Sequence, residues 1–205
     1  MLTLIFAIVA GYLIGSIPFA LVIGKVFYHT DVREHGSGNL GGGNTGRVLG
    51  KRAGLSTMAL DLLKVSLVIL LIRLMGGDDN VIALGALAAG IGHCYPIYAG
   101  FRGGKAVASM YGFLFGLVAF AGRSPLYFIL PLIVFMLVLI PGRMTSLASM
   151  VSTVAATIYI CLQPEAPAIK AVQLIYCVLI IVRHRSNIDR IIHHCENKVS
   201  WIPKL

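Results

Sequence analysis

The sequence predicts an all-α integral membrane protein. It is expected to be one membrane-embedded unit over residues 1–205, with about seven transmembrane helices, its N-terminus outside and its C-terminus cytoplasmic. Three observations carry that expectation. Only 12% of the 205 residues are charged and 58% are hydrophobic, with a mean hydropathy of +0.87. A soluble domain holds about 25% charge, and a disordered chain combines high charge with low hydropathy. Apolar segments recur at close to the roughly 20 residues that a bilayer requires. The basic residues fall between those segments, and they do so unevenly.

Taken in order, Leu2–Tyr28 is too long for the apolar core of a cleavable signal and reads as a span. Ala53–Leu74 is a second. Val81–Tyr98 and Ala106–Ala121 are short and interrupted by glycine, which suits tilted, broken or re-entrant segments. Leu126–Ile140, Ser146–Leu162 and Ala168–Val182 complete the set. Amides in hydrocarbon must be satisfied inside their own segment, so the spans are helical, and the alternation of a transmembrane barrel is absent. The 23 glycines suit helices that pack closely in lipid. Thirteen Lys and Arg, from Lys25 to Lys204, lie in one set of connections. Three others, Arg73, Arg123 and Lys170, lie in the opposite set beside Asp78, Asp79 and Glu165, and Lys64 falls inside the second span. The richer side is expected to be cytoplasmic. That distribution assigns the net charge of +9 to topology and not to a nucleic-acid partner. Cys94, Cys161, Cys177 and Cys195 show neither CxxC nor zinc spacing and read as packing residues.

Polar chemistry crowds the basic side. The long connection from His29 to Arg52 contains HGSGNLGGGNTGR (35–47), whose six glycines can turn backbone amides toward one anion. Ser37, Asn39, Asn44 and Thr45 add neutral donors, and Arg47 adds a planar fork suited to phosphate. Its two G-x-G-x-x-G matches follow a membrane helix and no strand, so neither is a dinucleotide fingerprint. GHCYPIYAGFRGGK (92–105) places Lys105 after two glycines at the start of a helix, where an anion is favoured. It is not a P-loop, because Ala99 and Ala106 stand at required positions. RHRSNIDR (183–190) supplies cations, an imidazole and an amide, so Arg47, Lys105 and Arg183 or Arg185 can surround one or two phosphates. The H-x-x-x-x-D of His184 and Asp189 is read as chance. Asp61 and Lys64, one turn apart inside a span, read as an ion pair that supports the Gly-rich loop. Thr145, Ser146 and Ser149 can cap the sixth span or meet a ligand. The implied ligand is amphiphilic, with phosphate at the interface and an acyl chain in the bilayer.

Those three motifs, with Asp61-Leu-Leu-Lys64 and Ser146-Leu-Ala-Ser149 in the same order, resemble the bacterial acylphosphate:glycerol-3-phosphate acyltransferase family over nearly the whole chain. The resemblance implies transfer of a fatty acyl group from acyl phosphate to the sn-1 hydroxyl of glycerol 3-phosphate, giving lysophosphatidic acid and phosphate, the first step of phospholipid synthesis. It implies no cofactor and no metal, a site on the cytoplasmic face of the bacterial plasma (inner) membrane, and transient contact with a soluble enzyme that makes the acyl phosphate. Gly42-Gly43 replaces the family's Ala-Thr and Leu40 its Pro, which is expected to loosen the first loop. His194-Cys195-Glu196 stands for Gly-Thr-Glu, which leaves the role of the tail open.

Residue roles follow as expectations. Ser37, Lys105, His184 and Asn187 are expected at the reaction. Phosphate is expected on Ser37, Gly38, Asn39, Asn44, Arg47, Arg102, Gly103, Gly104, Lys105, Ser146, His184 and Asn187. Asp61, Lys64 and His93 are expected to support them. Either His184 or the donor's own phosphate takes the hydroxyl proton, and the second fits the resemblance and the lack of an orienting carboxylate. The rival reading is a transporter of a phosphorylated metabolite, which should show inverted repeats and polar residues at mid-membrane.

Overall fold

Prolines and glycines decide where the helices stop. The structure, a computed structural model, describes residues 1–199; Lys204, counted above, lies outside them. Helix α1 (Leu2–Gly15) ends before Pro18, because the residue preceding a proline is pushed out of helical geometry, and α2 (Phe19–Tyr28) resumes beyond the break. Then come α3 (Gly42–Leu49), α4 (Lys51–Leu74), α5 (Asp79–Cys94), α6 (Val107–Ala121), α7 (Leu126–Gly142), α8 (Thr145–Leu162), α9 (Pro167–Arg183) and α10 (Arg185–Ile192). Among the described residues no strand is present.

One expectation holds in part and another needs correction. Helices occupy all seven expected positions, but four stretches are long and apolar enough to cross a membrane: 2–28, 51–74, 79–99 and 145–162. A fifth qualifies if α9 and α10, bent by 55°, count as one. Helices α6 and α7 have 15 and 17 residues, about 23 and 26 Å of rise against about 30 Å of hydrocarbon. Helix α6 is short because residues 95–106 leave the helical path before it begins. The correction concerns the glycine-rich connection, half of which is helical. Helix α3 packs on α4, with Gly46 against Gly54, and a Cβ on Gly42 would sit 2.2 Å from Met58 Cγ. Gly42 therefore tightens that contact and does not loosen a loop.

Close contact of small residues sets the main helix pair. Helices α1 and α5 meet through Gly11 and Gly15 on one side and Gly85 and Ala89 on the other. The core gathers α4, α5, α6 and α9 around Ile69, Phe113 and Tyr176, the last stacked on Phe113 at 5.8 Å and donating to the Ala86 carbonyl at 2.6 Å. Large apolar side chains such as Leu63, Leu137 and Val178 point outward. At one end of the bundle Arg123 donates to Glu165 at 2.9 Å and to Asp79, while Tyr127 donates to Glu165 at 2.6 Å. The three sequence motifs lie at the other end.

A Cβ on Gly15 would come within 2.1 Å of the Ala89 carbonyl oxygen, whereas one on Gly43 meets nothing within 4 Å. Gly15→Val is expected to cost about 1–3 kcal/mol and to lower the melting temperature in detergent by roughly 3–10 °C. Gly43→Ala is expected to leave it within about 1 °C or to raise it.

Candidate active site

One cavity of about 440 Å³ opens among α3, α4, α6, α7, α8 and α10. Its polar end is lined by Ser37, Asn39, Asn44, Arg47, Lys105, Ser146, His184 and Asn187, and its apolar wall by Leu55, Met58, Leu62, Tyr111, Phe128, Leu132 and Phe135. Arg47 of the first motif, Lys105 of the second and Asn187 of the third thus face one space.

Local geometry separates residues free to meet a ligand from those that hold the frame. Among the described residues the Ser37 hydroxyl and the Arg47 guanidinium make no hydrogen bond. Gly41 to Gly43, at the start of α3, present helix N-terminal amides to the cavity. Asn44 lines the same space, but its amide is engaged by its own segment. It accepts from the Ser37 amide at 2.8 Å and donates to the Val32 and His35 carbonyls at 3.0 and 3.1 Å. Asn39 reaches the Gly103 carbonyl at 3.4 Å and so joins the first motif to the second. Gly38 sits in a turn with φ +66° and is not a wall of the cavity.

In the second motif His93 and Lys105 face the cavity. Gly103 and Gly104 are buried against His93, and the Gly104 amide donates to the His93 carbonyl at 3.0 Å, so that amide is not free for an anion. Arg102 is exposed and outside the cavity. Arg183, one of the cations expected around phosphate, instead donates to the carbonyls of Gly104 and Gly103 at 3.1 Å each and lies over the Tyr95 ring. It clamps the turn that presents Lys105. Arg185 is exposed.

The Lys105 ammonium donates to Asn187 Oδ1. Burial, together with Arg190, Arg47 and Arg183 nearby and against the pull of Glu196, brings its pKa down to about 8. His184 is buried at the bend after α9, and its Nδ1 donates to the Ile180 carbonyl at 2.8 Å. A carbonyl only accepts, so the lone pair sits on Nε2. Burial, with Lys105 and Arg183, lowers its pKa to about 4 despite that bond. Asp189 is exposed and faces His193 at 3.4 Å, not His184, so H-x-x-x-x-D forms no dyad.

Two residues at this site were not singled out in the sequence. Glu196 accepts from Ser146 at 2.8 Å, Asn187 at 2.6 Å and Arg190 at 2.7 Å. Burial opposes its ionisation, and those three bonds outweigh burial, so its pKa is lowered. The tail therefore carries a carboxylate into the cavity wall, balancing the cations there. The match of Glu196 to the glutamate of the family's Gly-Thr-Glu was the one signal in the sequence that could have marked it. Arg190 stood inside the third motif and could have been chosen.

Ser146, Thr145 and Ser149 line the cavity, and α8 has no side-chain cap at Met144. Asp61 and Lys64 are paired at 2.7 Å, with Lys64 also donating to the Ile17 carbonyl at 2.9 Å and to His93 Nδ1 at 3.1 Å. The pair therefore supports the α1–α2 break and α5, not the Gly-rich segment. Among the described residues no group of His, Cys, Asp and Glu is placed to hold a metal ion.

A model of the family described as "Glycerol-3-phosphate acyltransferase" matches residues 5–194. A glycerol-3-phosphate acyltransferase of Bacillus cereus is 44% identical over 204 residues, covering 100% of this chain and 99% of the relative. One from Streptococcus pyogenes is 41% identical, covering 97% and 94%. The crystal structure of PlsY (YgiH), an integral membrane glycerol 3-phosphate acyltransferase in its glycerol 3-phosphate form, superposes with a TM-score of 0.88 at 33% identity, covering 96% of each chain. The lysophosphatidic acid form gives 0.86.

A phosphate monoester is dianionic above about pH 6, so its affinity above pH 8 reads the charge on Lys105. A lysine pulled down to about 8 loses its proton as pH rises through that value. Calorimetry is expected to show about tenfold weaker binding at pH 9.5 than at pH 8, and a flat profile for Lys105→Arg. Arg183→Lys keeps the charge but not the fork that spans two carbonyls, and is expected to weaken the same binding about tenfold from outside the cavity.

Proposed function

Because the chain belongs to the glycerol-3-phosphate acyltransferase family, we propose that it transfers a fatty acyl group from an acyl phosphate to the sn-1 hydroxyl of glycerol 3-phosphate. The products are lysophosphatidic acid and inorganic phosphate. One observation carries the reading: Ser37, Arg47 and Lys105 share a cavity whose other wall is apolar. Fixed cations and helix-end amides suit phosphate, and the apolar wall suits the acyl chain.

An acyl phosphate is already activated, so the protein has mainly to align two anions and offset their charge. The acceptor hydroxyl oxygen attacks the acyl carbon, the bond from that carbon to the phosphate oxygen breaks, and inorganic phosphate leaves. The hydroxyl proton goes to the departing phosphate. Two features support that route over a histidine base. His184 is neutral and weakly basic at working pH, and its Nδ1 is held by a backbone carbonyl with no carboxylate behind it. Its Nε2 lone pair instead orients the acceptor hydroxyl. Lys105 and Arg47 hold phosphate, and Asn187, itself held by Glu196, steadies Lys105.

In this reading the seven apolar helices cross the bacterial plasma (inner) membrane, α6 and α7 by local adjustment of the bilayer. The N-terminus is outside and the cavity meets the cytoplasm, where a soluble enzyme supplies the acyl phosphate. A transporter of phosphorylated metabolites is the weaker reading, since polar residues collect at one end of the bundle.

Purified protein in detergent or lipidic mesophase is expected to release phosphate and form lysophosphatidic acid from palmitoyl phosphate and glycerol 3-phosphate. Lys105→Ala and Arg47→Ala are expected to lose at least about 100-fold in kcat/KM, the scale of one lost charge-stabilising contact. Proteoliposomes that take up glycerol 3-phosphate without acylating it would favour the transporter. His184→Ala is expected to be slower by about 10-fold, the scale of one orienting hydrogen bond. A loss of about 10⁴-fold, the upper scale of a proton-transfer group, would instead make histidine the base.

A further inference from the structure

The phosphate end of the cavity leaves a second polar group unused. Asp61 is a wall of the cavity and only 1% exposed. Its Oδ1 takes the Lys64 ammonium at 2.7 Å, while its Oδ2 is sealed from solvent and has no hydrogen-bond partner among the described residues. A buried carboxylate oxygen without a partner is costly, so an unpaired one beside a cavity asks for a donor from the ligand. His93, on the same cavity, completes the pair. Lys64 has only protons to give, so His93 Nδ1 accepts at 3.1 Å and Nε2 carries the ring proton. Nε2 makes no hydrogen bond among the described residues and lies against Gly104. The Gly104 amide bonds the His93 carbonyl at 3.0 Å, so His93 is tied to the residue that precedes Lys105. On the same cavity Met58, Ala59, Leu62 and Tyr111 offer a ligand little other polarity.

We propose that Asp61 Oδ2 and His93 Nε2 form a hydroxyl-reading subsite, accepting from and donating to the secondary hydroxyl of glycerol 3-phosphate while Lys105 and Arg47 hold its phosphate. This rests on the acyltransferase reading above. An ion-paired carboxylate accepts a hydrogen bond without taking the proton, so it suits the hydroxyl that does not react. Held there, the secondary hydroxyl is kept from the acyl donor and the primary one is turned toward it. Asp61 and His93 are then substrate-binding residues, and Lys64 positions both.

The test compares glycerol 3-phosphate with 3-hydroxypropyl phosphate, which keeps the phosphate and primary hydroxyl and lacks the secondary one. Wild-type protein is expected to favour glycerol 3-phosphate by about 10- to 100-fold in kcat/KM, the scale of one hydrogen bond to a charged group. In Asp61→Asn that preference is expected to collapse toward unity, with inhibition by inorganic phosphate unchanged. Equal use of both acceptors by wild-type protein overturns the subsite, and this needs no variant to fold. So does an Asp61→Asn protein that loses activity equally toward both, or loses phosphate inhibition. Wild-type protein that acylates neither acceptor brings down the acyltransferase reading itself, a distinct result from acylation without discrimination.

Discussion

A buried lysine organises the motif-bearing end of this molecule. Lys64 and Asp61 lie on one face of α4 inside an apolar bundle, where an unpaired charge costs several kcal/mol. Each needs the other, and the ammonium has two further protons to place. It places them on the Ile17 carbonyl, left without a helical partner by Pro18, and on His93 at the end of α5. One charge thus ties the break that Pro18 makes after α1 to α4 and to His93. His93 in turn receives the Gly104 amide through its carbonyl, and Lys105 follows directly.

The second constraint is the gathering of like charges. Arg47, Lys105 and Arg190 stand around one cavity, which repulsion and burial both oppose. Glu196 offsets part of that cost by bringing a carboxylate to Ser146, Asn187 and Arg190. Arg183 offsets another part by turning its charge onto backbone carbonyls and an aromatic face. What remains is a site with more cation than anion, its charges held in place by the frame around them. Preorganisation of that kind lets fixed dipoles and charges act without rearranging during a reaction.

Shape explains why a lipid-facing protein can hold such a site. Residues 95–106 abandon the helix between α5 and α6, and their backbone groups are taken up by His93, Arg183 and one another. Irregular backbone at depth is tolerable when protein covers it in this way. Shortening α6 leaves room for the cavity, and Tyr111, Phe128, Leu132 and Phe135 line it with apolar surface. A polar end and an apolar wall are thereby brought together within one opening.

Composition and pattern alone determined the all-helical membrane class, the positions of the apolar helices, the segregation of chemistry to one end and the family. Hydrophobic runs, prolines and charge bias act locally, so they are legible along the chain. Tertiary structure decided how each polar residue is used. Asn44 and the Gly104 amide, expected on phosphate, are engaged by the frame. Arg183 clamps a turn 79 residues away, and Glu196 reaches Ser146 across 50 residues. Helix α3 lies close on α4 because Gly46 can press on Gly54, a packing fact rather than a propensity. A side chain's chemistry says what it can bond, but only the folded path says which partner comes within 3 Å, and each donor satisfied there is no longer free for a ligand.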